Sequence, residues 1–139
     1  MTRTYFVYGT LRPGGRYWRA VRRFVVDYEP AWIEGFVLWD LPEGYPCIEP
    51  GDGRVFGDLL YIRSGDEAEA QRIMDDIEGL DLGLYERHNI NALRLRRADQ
   101  KSVPCATYIY SRARRDHLYA NGRWVAEGEW RPPLDGDDE

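Results

Sequence analysis

Residues 7–15 read VYGTLRPGG, and they carry the chain from its first strand-like run into a turn rich in glycine. Residues 3–8 are mostly apolar and aromatic, which predicts an N-terminal strand that ends at Tyr8. A strand that runs directly into such a turn exposes several backbone N–H groups, and successive N–H groups can bind a carboxylate or an oxyanion. An ordinary loop that needs glycine for its backbone angles has the same composition, and spacing alone favours that simpler interpretation. The turn is not a Walker phosphate loop, because no Gly-Lys-Ser/Thr follows it.

The length and composition of the chain predict one soluble domain. Its 139 residues, of which 43 % are hydrophobic and 14 % aromatic, suffice for one packed core, so we expect a single domain over residues 1–139. The formal net charge of −5 opposes nucleic-acid binding, and residues 131–139 read as an acidic C-terminal tail. No run is long and apolar enough to span a membrane, and the N-terminus lacks a signal-peptide pattern. We therefore expect a cytoplasmic protein with neither a membrane nor a nucleic-acid partner; a monomer is favoured, and the composition leaves the oligomeric state open.

The first half of the chain predicts a short helix between strands. Residues 16–24 carry an apolar stripe at helical spacing. The stripe consists of Tyr17, Ala20, Val21 and Phe24. Residues 31–40 predict a strand with a bend or bulge at Gly35. Residues 41–53 are dense in proline and glycine and predict a loop, after which residues 55–63 predict another strand.

The second half predicts a longer helix and a hairpin. Ser64 and Glu67 match a capping box at the start of the helix, and Gly79 suits a left-handed cap at its end. The apolar stripe of this helix consists of Ala70, Ile73, Met74 and Ile77. Residues 85–97 and 103–111 predict a hairpin closed by residues 99–102, and the remainder from Arg112 is aromatic but irregular. Strands outnumber helices without regular βαβ alternation, which favours an α+β fold with a mostly antiparallel or mixed sheet that curls toward a barrel.

Glu78, in the stretch MDDIEGL at residues 74–80, is a candidate acid–base group. It flanks the apolar stripe in the last helical turn, where the helix dipole disfavours an anion by roughly 0.3–1 kcal/mol. Partial burial disfavours the charged form further, so both effects raise the pKa of Glu78. A carboxyl group of this kind can take and return a proton near neutral pH. The alternative is that Asp75, Asp76 and Glu78 form a solvated acidic edge, and the stretch alone favours that alternative.

Cysteine and histidine are sparse and do not predict a metal site. Cys47 and Cys105 are isolated in sequence, and buried free thiols are the simplest interpretation of both. The histidines are His88 and His117, too few for a usual zinc site unless the fold brings them together with both cysteines.

Several motifs together resemble the γ-glutamylcyclotransferase-like family, which includes γ-glutamylamine cyclotransferases and avirulence-induced-gene-like proteins. They are VYGTLRPG near the N-terminus, GYPCIEPGDGRVFGDLLYI in the middle, MDDIEGL followed by YERHNI, and ATYIYSR at the end of the hairpin. The resemblance extends over about residues 5–112, most of the chain. Its more specific parts are the Tyr-Gly-Thr-Leu turn after an N-terminal strand and the Glu-Gly pair followed by Tyr-x-Arg.

The resemblance implies a fold, a site and a reaction. The implied fold is a small mixed β-barrel with flanking helices and a cavity at the Tyr-Gly-Thr-Leu turn. Glu78 is implied to be the catalytic carboxylate. The implied substrate-binding residues are Tyr8, Gly9, Thr10, Leu11 and Tyr85. The implied reaction releases 5-oxoproline and a free amine or amino acid from a γ-glutamyl substrate, without a metal or an organic cofactor.

Two other functions compete with this hypothesis. A non-enzymatic member of the same fold would bind a small ligand or a protein partner, and the carboxylate at Glu78 favours the enzyme over it. Nucleic-acid binding through the basic N-terminal region is opposed by the net charge and by the several directions in which a helix would point these side chains. The basic residues concerned are Arg12, Arg16, Arg19, Arg22 and Arg23.

The C-terminal segment, residues 120–130, contains two large apolar side chains, Trp124 and Trp130. Such side chains need a surface against which to be buried. We expect the segment to lie near the mouth of the cavity or to cover one end of the barrel.

Overall fold

The computed structural model describes residues 3–96 and 101–132. The strands are β1 Thr4–Val7, β2 Val25–Asp40, β3 Pro46–Ile62, β4 Tyr85–Arg94, β5 Ser102–Tyr110 and β6 Arg123–Trp124. The α-helices are α1 Trp18–Val21, α2 Glu67–Ile77 and α3 Arg115–Asn121, and single 3₁₀ turns occur at Arg22–Phe24, Leu80–Leu82 and Arg112–Arg114. Within the described ranges, no helix is both long and apolar enough to cross a membrane.

Five of the strands form a closed barrel. Their order is β3-β1-β5-β4-β2, and β2 pairs again with β3, so the sheet closes on itself. β1 and β5 run parallel, whereas every other pairing between these strands is antiparallel. The short strand β6 extends the sheet at the far end of β2. The predicted α+β fold, a small mixed barrel with flanking helices, is therefore confirmed.

Side-chain alternation along β1 separates two apolar clusters, one on each side of the barrel wall. Phe6 and Tyr8 belong to the cluster that fills the barrel, whereas Tyr5 and Val7 belong to the other. The second cluster includes Met74, so α2 packs against the outer surface of the wall. This docking brings the C-terminal end of α2 to the end of β1, which is the arrangement that positions the site.

The long β2–β3 hairpin corrects the prediction of a loop at residues 41–53, because β3 already begins at Pro46. Residues 46–50 pair with β2 as far as Phe36, and β1 joins β3 only at residues 58–61. The first part of β3 is therefore an edge strand in the described structure, where a proline without an N–H group is tolerated. The predicted irregularity at Gly35 is confirmed by a shift in register between Glu34 and Phe36, with a φ of +90° at the glycine.

The two predicted helices form, with changes at their N-terminal ends. Residues 16–24 form only the single turn of α1 and a 3₁₀ turn. The prediction of a capping box at Ser64 and Glu67 is wrong, because α2 begins at Glu67 and no side chain caps it. Instead, the N–H group of Gly65 donates a hydrogen bond of 2.8 Å to the Glu67 carboxylate, because the chain turns at this glycine with a φ of +100°. At the other end, Gly79 adopts the expected left-handed conformation with a φ of +68°.

The hairpin of β4 and β5 is confirmed by their continuous antiparallel register. Residues 97–100, which include residues 99 and 100 of the predicted tip, and residues 133–139 of the predicted acidic tail lie outside the described residues. The prediction of irregular structure after Arg112 is wrong, because α3 forms there. Only Leu118 of α3 is fully buried, so the sequence carries no apolar stripe that would indicate this helix. Cys47 and Cys105 are buried free thiols, as predicted.

The C-terminal segment packs into the barrel rather than at the cavity. Trp130 is only 6 % exposed and joins the cluster inside the barrel, and its indole N–H donates a hydrogen bond of 2.7 Å to Asp40. Trp124 is 60 % exposed, which contradicts the expectation that both tryptophans need a covering surface. The segment was expected either near the mouth of the cavity or over one end of the barrel. The structure favours the position against the barrel, because Trp130 is buried there.

Candidate active site

A cavity of about 110 Å³ lies where β1 ends. By a comparable measure one water molecule needs roughly 10–15 Å³, so the cavity has room for a small organic group. Its walls come from the end of β1 and the turn that follows, the start of β3, the C-terminal end of α2 and the start of β4. The lining residues are Phe6, Val7, Tyr8, Gly9, Thr10, Leu11, Tyr17, Tyr45, Pro46, Ile77, Glu78, Leu84, Tyr85 and Tyr108. All six residues that the sequence nominated therefore lie around one cavity.

The turn after β1 presents three unused backbone amides to this region. The N–H groups of Gly9, Thr10 and Leu11 donate no hydrogen bond to any protein acceptor within residues 3–96 and 101–132. The carbonyl groups hold the turn instead: Arg12 N–H donates to Gly9 O at 3.1 Å, and Tyr17 N–H donates to Thr10 O at 2.9 Å. Buried backbone N–H groups are normally satisfied. Three consecutive free donors beside a cavity therefore form a place for an anionic or carbonyl oxygen.

Close approach of the Pro46 ring to the backbone of the turn explains why glycine occupies position 9. A Cβ atom there would lie 2.5 Å from Cγ of Pro46, closer than any real contact. Pro46 in turn lines the cavity as the first residue of β3. Glycine therefore lets the turn lie directly against β3, which fixes the distance across the cavity.

Glu78 is the residue at the C-terminal cap of α2, and its side chain lines the cavity. Gly79 ends the helix in the left-handed conformation, so the chain turns away immediately after the carboxyl group. Loss of hydration raises the pKa of Glu78 from 4.5 to about 8. No cation or hydrogen-bond donor in the described part of the chain offsets this effect. Glu78 is therefore a carboxyl group that can exchange a proton near neutral pH.

Two buried tyrosines tie together the strands that line the cavity around Glu78. The hydroxyl group of Tyr8 donates a hydrogen bond of 2.6 Å to the carbonyl oxygen of Tyr108, and that of Tyr85 donates one of 2.5 Å to the carbonyl oxygen of Pro46. Burial raises the pKa of both phenols far above 10, and the nearby Glu78 carboxylate adds to the increase. Both side chains are therefore neutral donors that tie strands together, with no role as bases at ordinary pH.

The acidic stretch before Gly79 divides into three different environments. Asp75 forms an ion pair with Arg87 on β4 and accepts a hydrogen bond of 2.7 Å from the hydroxyl group of Tyr108 on β5. Asp76 is exposed and lies 3.7 Å from Arg72 on the same helix. Glu78 lines the cavity. The solvated acidic edge considered from sequence therefore describes Asp76 alone, and Asp75 fixes the last turn of α2 to two strands.

Within residues 3–96 and 101–132, the cavity lining contains no lysine, arginine or histidine. Arg12, the nearest arginine in sequence to the turn, is held by Asp58 at 2.7 Å and by Glu129 at 3.1 Å. This pairing also removes Arg12 from the basic surface that a nucleic acid would need. Among the described residues, no group of three or more histidine, cysteine, aspartate or glutamate side chains could hold a metal ion.

Sequence reasoning missed part of the lining, although the quoted motifs contain several of the missed residues. Tyr45 and Pro46 stand in GYPCIEPG, and Tyr108 stands in ATYIYSR, so these motifs carried a signal. Tyr17 was assigned to the apolar stripe of a helix, but it precedes α1 and lines the cavity. The pairing of Asp75 with Arg87 joins two motifs that are separate in the chain, and only the docking of α2 on the barrel brings them together.

Comparison with known proteins agrees with this fold. The chain matches the family described as gamma-glutamyl cyclotransferase, AIG2-like, over residues 5–132. An AIG2-like protein from Mus musculus is similar with a TM-score of 0.64 and 24 % identity, over 78 % of this chain and 76 % of that one. A protein from Arabidopsis thaliana is similar with a TM-score of 0.63 and 26 % identity, over 94 % of this chain and 70 % of that one.

A gamma-glutamyl cyclotransferase shares the fold with a TM-score of 0.61 and 16 % identity, over 89 % of this chain and 70 % of that one. No curated protein sequence matches the chain. The family match spans nearly the whole chain and includes every residue that lines the cavity. The chain therefore belongs to the AIG2-like gamma-glutamyl cyclotransferase family.

Proposed function

We propose that this protein is an enzyme that converts a γ-glutamyl substrate into 5-oxoproline and a free amine or amino acid, with Glu78 as the general acid and base. One observation carries the proposal. A single carboxyl group whose pKa is raised to about 8 lines the same small cavity as three unused backbone amides. Membership of the family supports a cyclotransferase-like function, and the cavity supports a small-molecule substrate.

The amides of Gly9, Thr10 and Leu11 are suited to the α-carboxylate of the γ-glutamyl group. They offer several donors at fixed positions without a cationic side chain. A lysine or arginine in their place would attract the same carboxylate, but it would also hold Glu78 in the ionised state. Amide donors therefore bind the anion and leave the pKa of Glu78 free to stay near neutrality.

The reaction forms one C–N bond and breaks another. Glu78 takes a proton from the α-ammonium group, and the freed amine attacks the γ-carbonyl carbon to close a five-membered ring. Glu78 gives that proton to the departing nitrogen, then carries the second proton from the ring nitrogen in the same direction as the amide bond breaks. The products are 5-oxoproline, whose ring nitrogen keeps one hydrogen, and the leaving amine as an ammonium ion. One carboxyl group thus serves every proton transfer.

The cavity, with a volume of about 110 Å³, has room for a small organic group, as the proposed substrate requires. The amine and the γ-carbonyl group belong to the same molecule, so the protein contributes by holding the γ-glutamyl chain in the folded conformation in which the two groups meet. Tyr8 and Tyr85 keep the walls in place through their hydroxyl groups, and we assign them to substrate binding because both side chains line the cavity.

The proposal is tested by incubating the protein with a panel of γ-glutamyl amides and γ-glutamyl amino acids and measuring released 5-oxoproline. We expect turnover of at least one compound and its loss in Glu78→Gln. The exposed neighbour Asp76 provides the matched control, because Asp76→Asn removes a carboxylate from the same helix outside the cavity. Binding of these compounds without turnover in the wild-type protein would instead identify a non-enzymatic member of the fold.

A further inference from the structure

A second cavity, of about 450 Å³, opens between the β2–β3 hairpin and β4. Its position follows from the way in which the barrel closes, because β4 pairs with β2 only through its last two residues, Leu93 and Arg94. The two strands separate before that point, and the gap between them forms the cavity. Among the described residues, its lining has no member in common with the lining of the cavity that contains Glu78. The second cavity is therefore a separate place on the molecule.

The separation leaves one edge of β4 without a neighbouring strand. On one side β5 pairs with residues 85–93 of β4, whereas on the other side no strand of the described ranges pairs with residues 86–91. His88, Asn89 and Ile90 line the cavity in succession, although consecutive side chains of a strand point to opposite faces. The backbone edge itself therefore faces the cavity, and alternate residues direct their N–H and C=O groups toward it.

The floor of this cavity is apolar. Ile90 and Ile109 come from β4 and β5, and Phe36 comes from β2. All three pack with the cluster inside the barrel, but Phe36 and Ile90 are only partly buried. An apolar side chain that covered them would gain free energy by leaving water. The floor is therefore suited to one aliphatic or aromatic group.

One end of the cavity carries two positive charges without a partner. Arg112 and Arg115 line it, both are exposed, and neither forms an ion pair with residues 3–96 or 101–132. The carboxylates of the described lining are already engaged. Glu49 accepts hydrogen bonds of 3.0 and 2.7 Å from an indole and a phenol, and Glu86 lies 3.0 Å from a histidine ring. The cavity therefore offers uncompensated positive charge to an anionic ligand.

Ser111 adds an uncharged donor at the same end. It lines the cavity and is only 7 % exposed, and its hydroxyl group has no hydrogen-bond partner in the described part of the chain. Buried hydroxyl groups normally have one. The backbone N–H of Ser111 donates a hydrogen bond of 3.0 Å to Leu84, the residue before β4. The polar end of the cavity therefore lies at the N-terminal end of β4, and the unpaired edge runs away from it.

We propose that this cavity binds the C-terminal end of an extended peptide, which adds a strand to the edge of β4 and places its terminal carboxylate against Arg112, Arg115 and Ser111. Because the carboxylate lies at the N-terminal end of β4, the peptide runs antiparallel to that strand. The side chain of its last residue covers the apolar floor. A small anion would use the arginines and the hydroxyl group alone, so the unpaired edge favours a peptide. The site is independent of the proposed function.

The test measures binding of the full chain to the pentapeptide Thr-Thr-Val-Thr-Leu, labelled at its N-terminus with fluorescein, by fluorescence anisotropy. A C-terminal amide in place of the free acid removes the anion and should raise Kd at least roughly tenfold. Serine in place of the last leucine removes the apolar group and should have an effect of similar size. Methylation of the second and fourth backbone nitrogens, or of the third and fifth, should raise Kd by roughly fivefold in one case only, because alternate N–H groups face β4.

Two protein variants locate the peptide. Arg112→Gln with Arg115→Gln should raise the Kd of the free acid by roughly two- to tenfold and leave that of the amide unchanged. Arg19→Gln with Arg22→Gln is the matched control, because it removes two exposed arginines at the same spacing outside this cavity. The control should leave both dissociation constants unchanged.

Equal affinity for the acid and the amide would overturn the inference, as would equal effects of the two methylation patterns. Absence of binding at roughly 1 mM peptide would overturn it too. Self-association of the protein that weakens in the double variant at residues 112 and 115 would identify a second copy as the occupant and refute the peptide. Each of these results leaves 5-oxoproline release, and with it the proposed function, untouched.

Discussion

Replacement of Glu78 by glutamine is expected to alter both turnover and the pH dependence of stability. Glutamine keeps the size of the side chain and one carbonyl oxygen but cannot transfer a proton. General acid–base catalysis accelerates a reaction by roughly 100- to 10,000-fold, so we expect the turnover of Glu78→Gln to fall by at least roughly 100-fold. The same replacement removes an ionisable group that the fold holds in an unfavourable environment, so its effect on stability is predictable as well.

The size of the stability effect follows from the pKa of Glu78, which burial raises from 4.5 to about 8. A group whose pKa is raised in the folded state stabilises the fold fully below its unfolded pKa, and this contribution disappears as the pH rises through the folded pKa. Wild-type protein should therefore lose stability between about pH 4.5 and pH 8 through this residue. At about 1.4 kcal/mol per pH unit the loss approaches roughly 5 kcal/mol as an upper limit, since part of the carboxyl group faces the cavity.

The measurement is urea unfolding of the wild-type protein and of Glu78→Gln at pH 5 and pH 9, alongside 5-oxoproline release. The unfolding free energy of Glu78→Gln minus that of the wild-type protein should be larger at pH 9 than at pH 5, by about 2 kcal/mol or more. Asp76→Asn should show neither this shift nor the loss of turnover, because Asp76 is exposed. A constant difference at both pH values would refute the desolvation argument. Near-native turnover by Glu78→Gln would place the base elsewhere.

Three further predictions concern the same site. The kcat/KM of the wild-type enzyme should rise about tenfold per pH unit and level off near pH 8, where Glu78 ionises in the free enzyme; a flat profile between pH 6 and pH 8 would contradict it. Asp75→Asn breaks the pairing with Arg87 and should lower kcat and displace the pH profile, whereas an unchanged profile would reduce Asp75 to a purely structural role. Gly9→Ala places a methyl group against Pro46 and should lower the thermal midpoint and weaken substrate binding; calorimetry and KM measure both, and native values would contradict the close-packing argument.

The elements that sequence predicts well are those with strong local signals. The strand and turn around Gly9, the helix that ends at Gly79, and the β4–β5 hairpin each rest on residues adjacent in the chain. The start of β3 at Pro46 was not predictable in the same way, because a proline is acceptable only where a strand lies at an edge, and the edge is a property of the finished sheet. Likewise α3 carries one buried residue, Leu118, and is held by tertiary packing rather than by its own periodicity.

The candidate site shows the same division. The resemblance nominated Glu78 and the turn, and the raised pKa of Glu78 was expected from its place at a helix end. The size of this pKa shift was not predictable, because loss of hydration contributes more than the helix dipole does. That loss of hydration depends on how α2 docks against the barrel. The anchoring of Asp75 by Arg87 and Tyr108 was equally invisible, since the three residues come from α2, β4 and β5.

Under the proposed mechanism, the distribution of cations around the cavity lets one carboxyl group act first as a base and then as an acid. A neighbouring arginine would stabilise the Glu78 carboxylate and deprive it of the ability to return a proton. The chain instead pairs Arg12 with Asp58 and Arg87 with Asp75, so each of these two guanidinium groups is held by a carboxylate. The cation that Glu78 would meet is then the α-ammonium group of the substrate itself. Its arrival favours the carboxylate, its loss of a proton removes that stabilisation, and Glu78 is left as an acid of raised pKa at the moment when the leaving nitrogen needs a proton.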